Sequence, residues 1–210
     1  MARRIRPGMR GDWLRRAWVK PLVWLLCLLP LATLVVGAVR GGLGANPAEA
    51  LERALGLWTL RLLCVALAVT PLRRLLGLPQ LARLRRPLGL FVAFYALLHL
   101  LAWAWFDWGW GLPEMLADVA QRPFILVGTL AFALLALLAA TSFGAAVRWL
   151  GARRWQALHR GVYAAALLAL LHFFWMRAGK QDFAEVWAYA LVVGALLLAR
   201  AVFWWRRKSY

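Results

Sequence analysis

Residue types that usually carry protein chemistry are scarce in this chain. It has 2 cysteines, 3 histidines and 8 acidic residues among 210. Cys27 and Cys64 sit inside apolar blocks, with no CxxC and no Cys/His ligand spacing. That excludes zinc and iron–sulfur sites of the usual pattern, and a disulfide framework with them. Both read as small buried hydrophobes. No strand pattern occurs, so no GxGxxG-type phosphate loop follows a strand to open a helix. Most of the long apolar blocks also lack the polar stripe of a water-facing helix, which argues against a soluble enzyme.

What is present is apolar. Hydrophobic residues make up 64% of the chain, against roughly 45–50% in an ordinary soluble domain. They fall in blocks long enough to cross a hydrocarbon core about 30 Å thick. Six spans are expected, at 21–39, 55–73, 88–106, 124–147, 158–175 and 186–205. The first exceeds the 7–15 apolar residues of a signal-peptide core, so it is read as a span. The predicted fold class is an all-α, polytopic membrane helix bundle. A basic N-terminal segment (1–20) precedes the six-helix domain (21–205), and a short tail (206–210) follows. The connections 40–54 and 107–123 each have room for a short interfacial helix. Trp103, Trp105, Trp108 and Trp110 crowd one end of the third span as an aromatic belt.

The net charge of +18 lies at block ends rather than on a continuous face, which argues against nucleic acid. Arg3, Arg4, Arg6, Arg10, Arg15, Arg16 and Lys20 precede the first span. Arg73, Arg74, Arg83, Arg85 and Arg86 follow the second. Arg148, Arg153, Arg154 and Arg160 follow the fourth, and Arg206, Arg207 and Lys208 the sixth. The alternate connections are mixed or acidic: Glu49, Glu52 and Arg53; Asp107, Glu114, Asp118 and Arg122; Arg177, Lys180, Asp182 and Glu185. The positive-inside rule places both termini in the cytoplasm.

The three histidines, His99, His159 and His172, all lie in or at the ends of spans. Ionisable groups there are costly and point to function. Neutral imidazole is a common metal ligand, and the usual axial ligand of a b-type heme. His99 and His172 lie near the outer ends of spans that run in the same direction, about one helical turn apart in depth. They are expected to clamp one heme iron from both sides. His159 precedes His172 by thirteen residues, about 20 Å along a helix and roughly 140° around it. It would sit at the cytoplasmic end, either hydrogen-bonded near the headgroups or ligating with a partner other than histidine. Arg61 is read as snorkelling or as pairing with a heme propionate, and Arg177 as a second propionate candidate. Arg200 is expected to snorkel, and the run Ala164-Ala165-Ala166 to leave room for a flat ligand. No acidic residue falls inside an expected span, which weighs against a proton-coupled transporter. That reading and a non-catalytic membrane anchor remain the alternatives.

Several ordered motifs resemble the MsrQ (YedZ) family. They are Gly44-Ala45-Asn46-Pro47, Leu55-Gly56-Leu57-Trp58-Thr59-Leu60-Arg61, Thr70-Pro71-Leu72-Arg73-Arg74, Arg85-Arg86-Pro87, Tyr95-Ala96-Leu97-Leu98-His99, Arg122-Pro123-Phe124 and Trp155-Gln156-Ala157-Leu158-His159-Arg160. The resemblance runs from about residue 15 onward. It implies a heme-binding subunit of the ferric-reductase-like group. Such a subunit passes electrons from the quinone pool to a periplasmic, molybdopterin-containing methionine sulfoxide reductase, which repairs oxidised envelope proteins. The catalysis belongs to that partner. The family also implies FMN, for which no motif is present here. The three histidines match the family's positions. The wider group pairs two histidines on each of two helices, whereas the third span here has only His99. One b-type heme is thus accounted for by count, and a second at His159 is left open.

Overall fold

The computed structural model describes residues 11–179 and 181–206. Arg3, Arg4, Arg6, Arg10, Lys180, Arg207 and Lys208 lie outside the described residues. The described residues form eight α-helices and no strand: α1 (Val19–Val39), α2 (Pro47–Leu75), α3 (Arg85–Phe106), α4 (Leu112–Gln121), α5 (Pro123–Ala140), α6 (Gly144–His159), α7 (Gly161–Ala178) and α8 (Ala184–Arg206). Short 3-10 turns occupy Asp12–Arg15 and Pro79–Leu84. Among these residues, six helical stretches are long and apolar enough to cross a membrane, with α6 and α7 counted together. Helices suit that setting because a spanning segment must satisfy its backbone hydrogen bonds internally. The chain is a multi-pass membrane protein.

Local sequence sets the helix ends. Asn46 caps α2 by accepting from the Glu49 amide, and Pro47 occupies the first turn, where its missing N–H costs nothing. Pro123 opens α5 in the same way. Relative to the expected spans, α2 starts earlier, and the connection at 40–54 donates its end to that helix. Glu49 and Glu52 therefore ride on the first turns of α2. The fourth span ends earlier than expected, at Ala140, because Thr141 to Phe143 break the helix before α6. The interfacial helix expected in 107–123 is α4, which is amphipathic. Successive spans alternate in direction, so seven of the eight acidic residues gather at one end of the bundle, here called the acidic end. The arginine-rich end lies opposite.

The core is narrow and its outer faces are apolar. Leu63, Leu67, Val92, Tyr95, Ala165, Ala166 and Val193 are almost wholly buried. Leu25, Leu29, Leu130, Leu167, Leu191 and Leu198 point outward, as lipid-facing side chains do. Lipid gives helices no hydrophobic reason to associate, so close packing of small side chains matters more. Ala165 and Ala166 serve that purpose inside the core. Neither lines the cavity that opens beside His99 and His172.

At two prolines inside spans, side chains from other helices enter the backbone ladder. Pro71 has no N–H to offer the carbonyl of Leu67, four residues earlier. Arg200 from α8 supplies it instead, with Nη2 donating to that carbonyl at 2.6 Å and Nη1 to the Tyr163 hydroxyl at 2.8 Å. Arg200 is thus held inside the bundle, which corrects the snorkelling expectation. In α1, next to Pro30, the Leu31 amide donates to the Tyr95 hydroxyl at 3.0 Å, and that hydroxyl donates to the Cys27 carbonyl at 2.8 Å. Tyr95 is therefore inserted into a rung of the α1 ladder, one of the recognised causes of a helix bend.

Candidate functional site

His99 on α3 and His172 on α7 face each other across the bundle near the acidic end. Their ring centroids are 6.2 Å apart, with the planes inclined by 71°. Each Nδ1 meets a backbone carbonyl on a neighbouring helix: His99 that of Glu52 on α2, at 3.0 Å, and His172 that of Phe124 on α5, at 2.7 Å. A carbonyl can only accept, so both Nδ1 atoms carry the proton. Each Nε2 is left with its lone pair, and neither hydrogen-bonds to a described residue.

The two halves of the site are built alike. Four residues after each accepting carbonyl stands a glycine, one helical turn along the same face. A Cβ on Gly56 would lie 3.1 Å from Cε1 of His99, and one on Gly128 would lie 2.7 Å from Nδ1 of His172. The glycines create the space into which the rings lean, and the carbonyls fix their rotation. Both carbonyl–glycine pairs fall within or beside motifs named above, but their role was not visible in the chain. An isolated glycine within a strongly apolar helix was the available signal, since it costs helix stability unless packing requires it.

The pair opens onto a cavity of about 440 Å3 between α2, α3, α5 and α7. Leu60, Phe132, Leu135 and Phe173 give it an apolar wall, and Glu49, Glu52, Arg53, Arg177 and Glu185 stand at the acidic end. Among the described residues no group of three or more His, Cys, Asp or Glu side chains could hold a metal ion. Two opposed imidazoles therefore suit a metal whose remaining positions are filled by its own ligand. The spacing agrees. A metal–imidazole bond of roughly 2 Å on each side, plus the distance from nitrogen to ring centre, gives roughly 6 Å between centroids. Metal-binding histidines commonly donate their other N–H to a carbonyl, as both do here. The donor set thus fits a flat macrocyclic metal cofactor such as heme.

The remaining candidates divide. Arg177 lines the cavity, with Nη2 bonded to Glu185 at 2.6 Å and Nη1 reaching Asp182 at 3.5 Å. Arg61 does not line it. Its Nε donates to the Tyr189 hydroxyl at 3.0 Å, and its guanidinium lies over the Trp58 ring at 4.7 Å. His159 lies apart, at the arginine-rich end. Its ring stacks on Trp155 at 4.0 Å, and its Nε2 meets the Thr141 hydroxyl at 3.2 Å. That hydroxyl already donates to the Leu137 carbonyl at 2.7 Å, so His159 is the donor and its proton is on Nε2. This is the opposite tautomer from the other two histidines. Trp155 also donates to the Thr141 carbonyl at 2.8 Å, so the two side chains together seal the break between α5 and α6.

Comparison with known proteins agrees with this architecture. Residues 55–170 match the family described as ferric reductase like transmembrane component. The chain is 57% identical over 188 residues to the protein-methionine-sulfoxide reductase heme-binding subunit MsrQ of Polaromonas naphthalenivorans, covering 90% of this chain and 86% of that one. It is 53% identical over 191 residues to the subunit of the same name from Bordetella pertussis, covering 91% and 92%. The counterpart from Rhodospirillum rubrum is 46% identical over 184 residues, covering 86% of each chain. On this breadth of identity, the chain belongs to the MsrQ family of ferric-reductase-like transmembrane components.

Proposed function

We propose that this protein is the membrane electron-transfer subunit of a protein-methionine-sulfoxide reductase, carrying electrons through a b-type heme held by His99 and His172. The observation that carries the reading is the facing pair of imidazoles, 6.2 Å apart with both Nδ1 protons committed to carbonyls. The curated relatives are named as heme-binding subunits of that reductase, and the donor set here fits the same group. Bound heme would supply a one-electron carrier. His99 and His172 would hold it from two sides, and a group so held would serve electron transfer rather than bond-breaking chemistry. The chain's own part is to orient the rings, exclude water with an apolar wall, and bring the pair near the acidic surface.

In this reading the acidic end faces the periplasm and both termini face the cytoplasm of a bacterial inner membrane. Electrons enter from the quinone pool and leave to a periplasmic molybdopterin-containing catalytic subunit. FMN enters from the family resemblance. Arg177, which lines the cavity, is the propionate partner, whereas Arg61 supports α8 through Tyr189. His159 serves the α5–α6 break, and a second heme there would require it to give up Thr141.

The test is a reduced-minus-oxidised spectrum of protein purified in mild detergent, with heme counted as the pyridine hemochrome. Low-spin b-type bands should vanish in His99→Ala and His172→Ala and persist in His159→Ala at matched folded yield. A wild type that stays colourless after reconstitution with heme overturns the reading.

A further inference from the structure

Two residues that line the cavity beside the histidine pair each carry a buried hydrogen-bond donor with no partner among the described residues. Trp103 is only 6% exposed and lines the cavity, yet its indole Nε1–H has no hydrogen-bond partner among the described residues. Arg177 lines the same cavity, and its buried Nε–H is equally without a partner, although both terminal nitrogens of that guanidinium are engaged by Glu185 and Asp182. A buried donor left unsatisfied costs about 1–3 kcal/mol, so two in one cavity call for an acceptor that belongs there.

Their positions agree with one another. Trp103 follows His99 by four residues and shares its helix face, about 6 Å further toward the acidic end. Arg177 follows His172 by five residues, about 7.5 Å further in the same direction. The two residues therefore leave their helices at nearly one level, just outside the level of the facing imidazoles. The other charges at the mouth are partly spoken for, since Glu49 pairs with Arg53 and Glu185 with Arg177.

We propose that the indole N–H of Trp103, together with Nε–H of Arg177, seats a carboxylate of the prosthetic group held between His99 and His172, and so fixes which edge of that group faces the acidic end. This rests on the heme reading above, because a heme carries two propionates on one edge. Trp103 would hold the propionate without adding a charge. Arg177 would use the one N–H that its carboxylate partners leave over.

The experiment pairs a protein change with a ligand change. Full-length wild type, Trp103→Phe and Arg177→Lys are each reconstituted in detergent with heme b or with its dimethyl ester, in which both propionates are capped. Arg177→Lys keeps the charge facing Glu185 while removing Nε–H, so it stands as an independent variant if Trp103→Phe folds poorly. Release of heme to apomyoglobin is timed, and the low-spin spectrum confirms that both histidines still ligate. With heme b, either variant should release heme roughly tenfold or more faster than wild type, the scale of a hydrogen bond to a charged group. With the dimethyl ester, wild type and variants should release at the same rate. Equal acceleration with both ligands, or with neither, overturns the carboxylate seat and leaves the heme reading standing. A wild type that takes up neither form overturns the heme reading, and the seat with it.

Discussion

A Cβ placed on Gly128 would come within 2.7 Å of Nδ1 of His172, the atom that donates to the Phe124 carbonyl. No real Cβ tolerates that approach to a ring fixed by a hydrogen bond, so one of the two must move. Gly128→Ala is expected to tilt the ring, break the 2.7 Å bond and lower low-spin heme content well below wild type. Gly56→Ala, whose Cβ would lie 3.1 Å from His99, should cost less. Heme per folded protein, measured for both variants, checks the order.

Arg200 and Pro71 form a compensating pair. Arg200→Met removes the donor that satisfies the Leu67 carbonyl and should destabilise the protein by about 1–3 kcal/mol. In a Pro71→Ala background, residue 71 regains an N–H for that same carbonyl, so the Arg200→Met penalty should shrink. Thermal unfolding of the double-mutant cycle in detergent reads the coupling. Strict additivity would contradict the repair.

Tyr95→Phe tests the hydroxyl inserted into α1. The Leu31 amide and the Cys27 carbonyl would lose their bridge and could recover only part of it by bonding to each other. A loss of about 1–3 kcal/mol is expected, read as a lower unfolding midpoint with an unchanged heme spectrum.

Asp107 lies outside the spans, in the connection before α4. Burial first, then the neighbouring Asp118 carboxylate, raises its pKa above the ordinary value of 3.8, and Arg122 opposes the shift. A carboxyl that holds its proton more tightly when folded favours the fold while protonated. That contribution is present at low pH and is lost as pH climbs from 3.8 through the raised value. Asp107→Asn should therefore flatten this decline in the unfolding midpoint. Because the side chain is largely exposed, the effect should be small. A wild-type midpoint that rises across that interval more steeply than the variant's would reverse the sign.

Much of the architecture was legible in the chain. Long apolar runs leave the backbone only helices in a bilayer, and the alternation of arginine-rich and acidic connections gave the order of the helix ends. Depth along two helices of the same direction was enough to pair His99 with His172 and to set His159 apart. Helix ends were less legible. Asn46 and Pro47 start α2 before the apolar run begins, and Thr141 stops α5 within it.

What the sequence by itself determined is a six-span membrane bundle with one histidine pair near its acidic end. The tertiary structure alone decided how that pair is held. It selected the Glu52 and Phe124 carbonyls as proton acceptors and gave Gly56 and Gly128 their purpose. It sent Arg177 to the cavity and Arg61 to Tyr189, and it put the His159 proton on the opposite nitrogen. The physical reason is rotational. A helix that is apolar on nearly every face, as α1 and α5 are, carries almost no periodic signal to say which side meets which neighbour. That phase is set by packing between helices, where small residues, proline gaps and single hydrogen bonds distinguish one rotation from another.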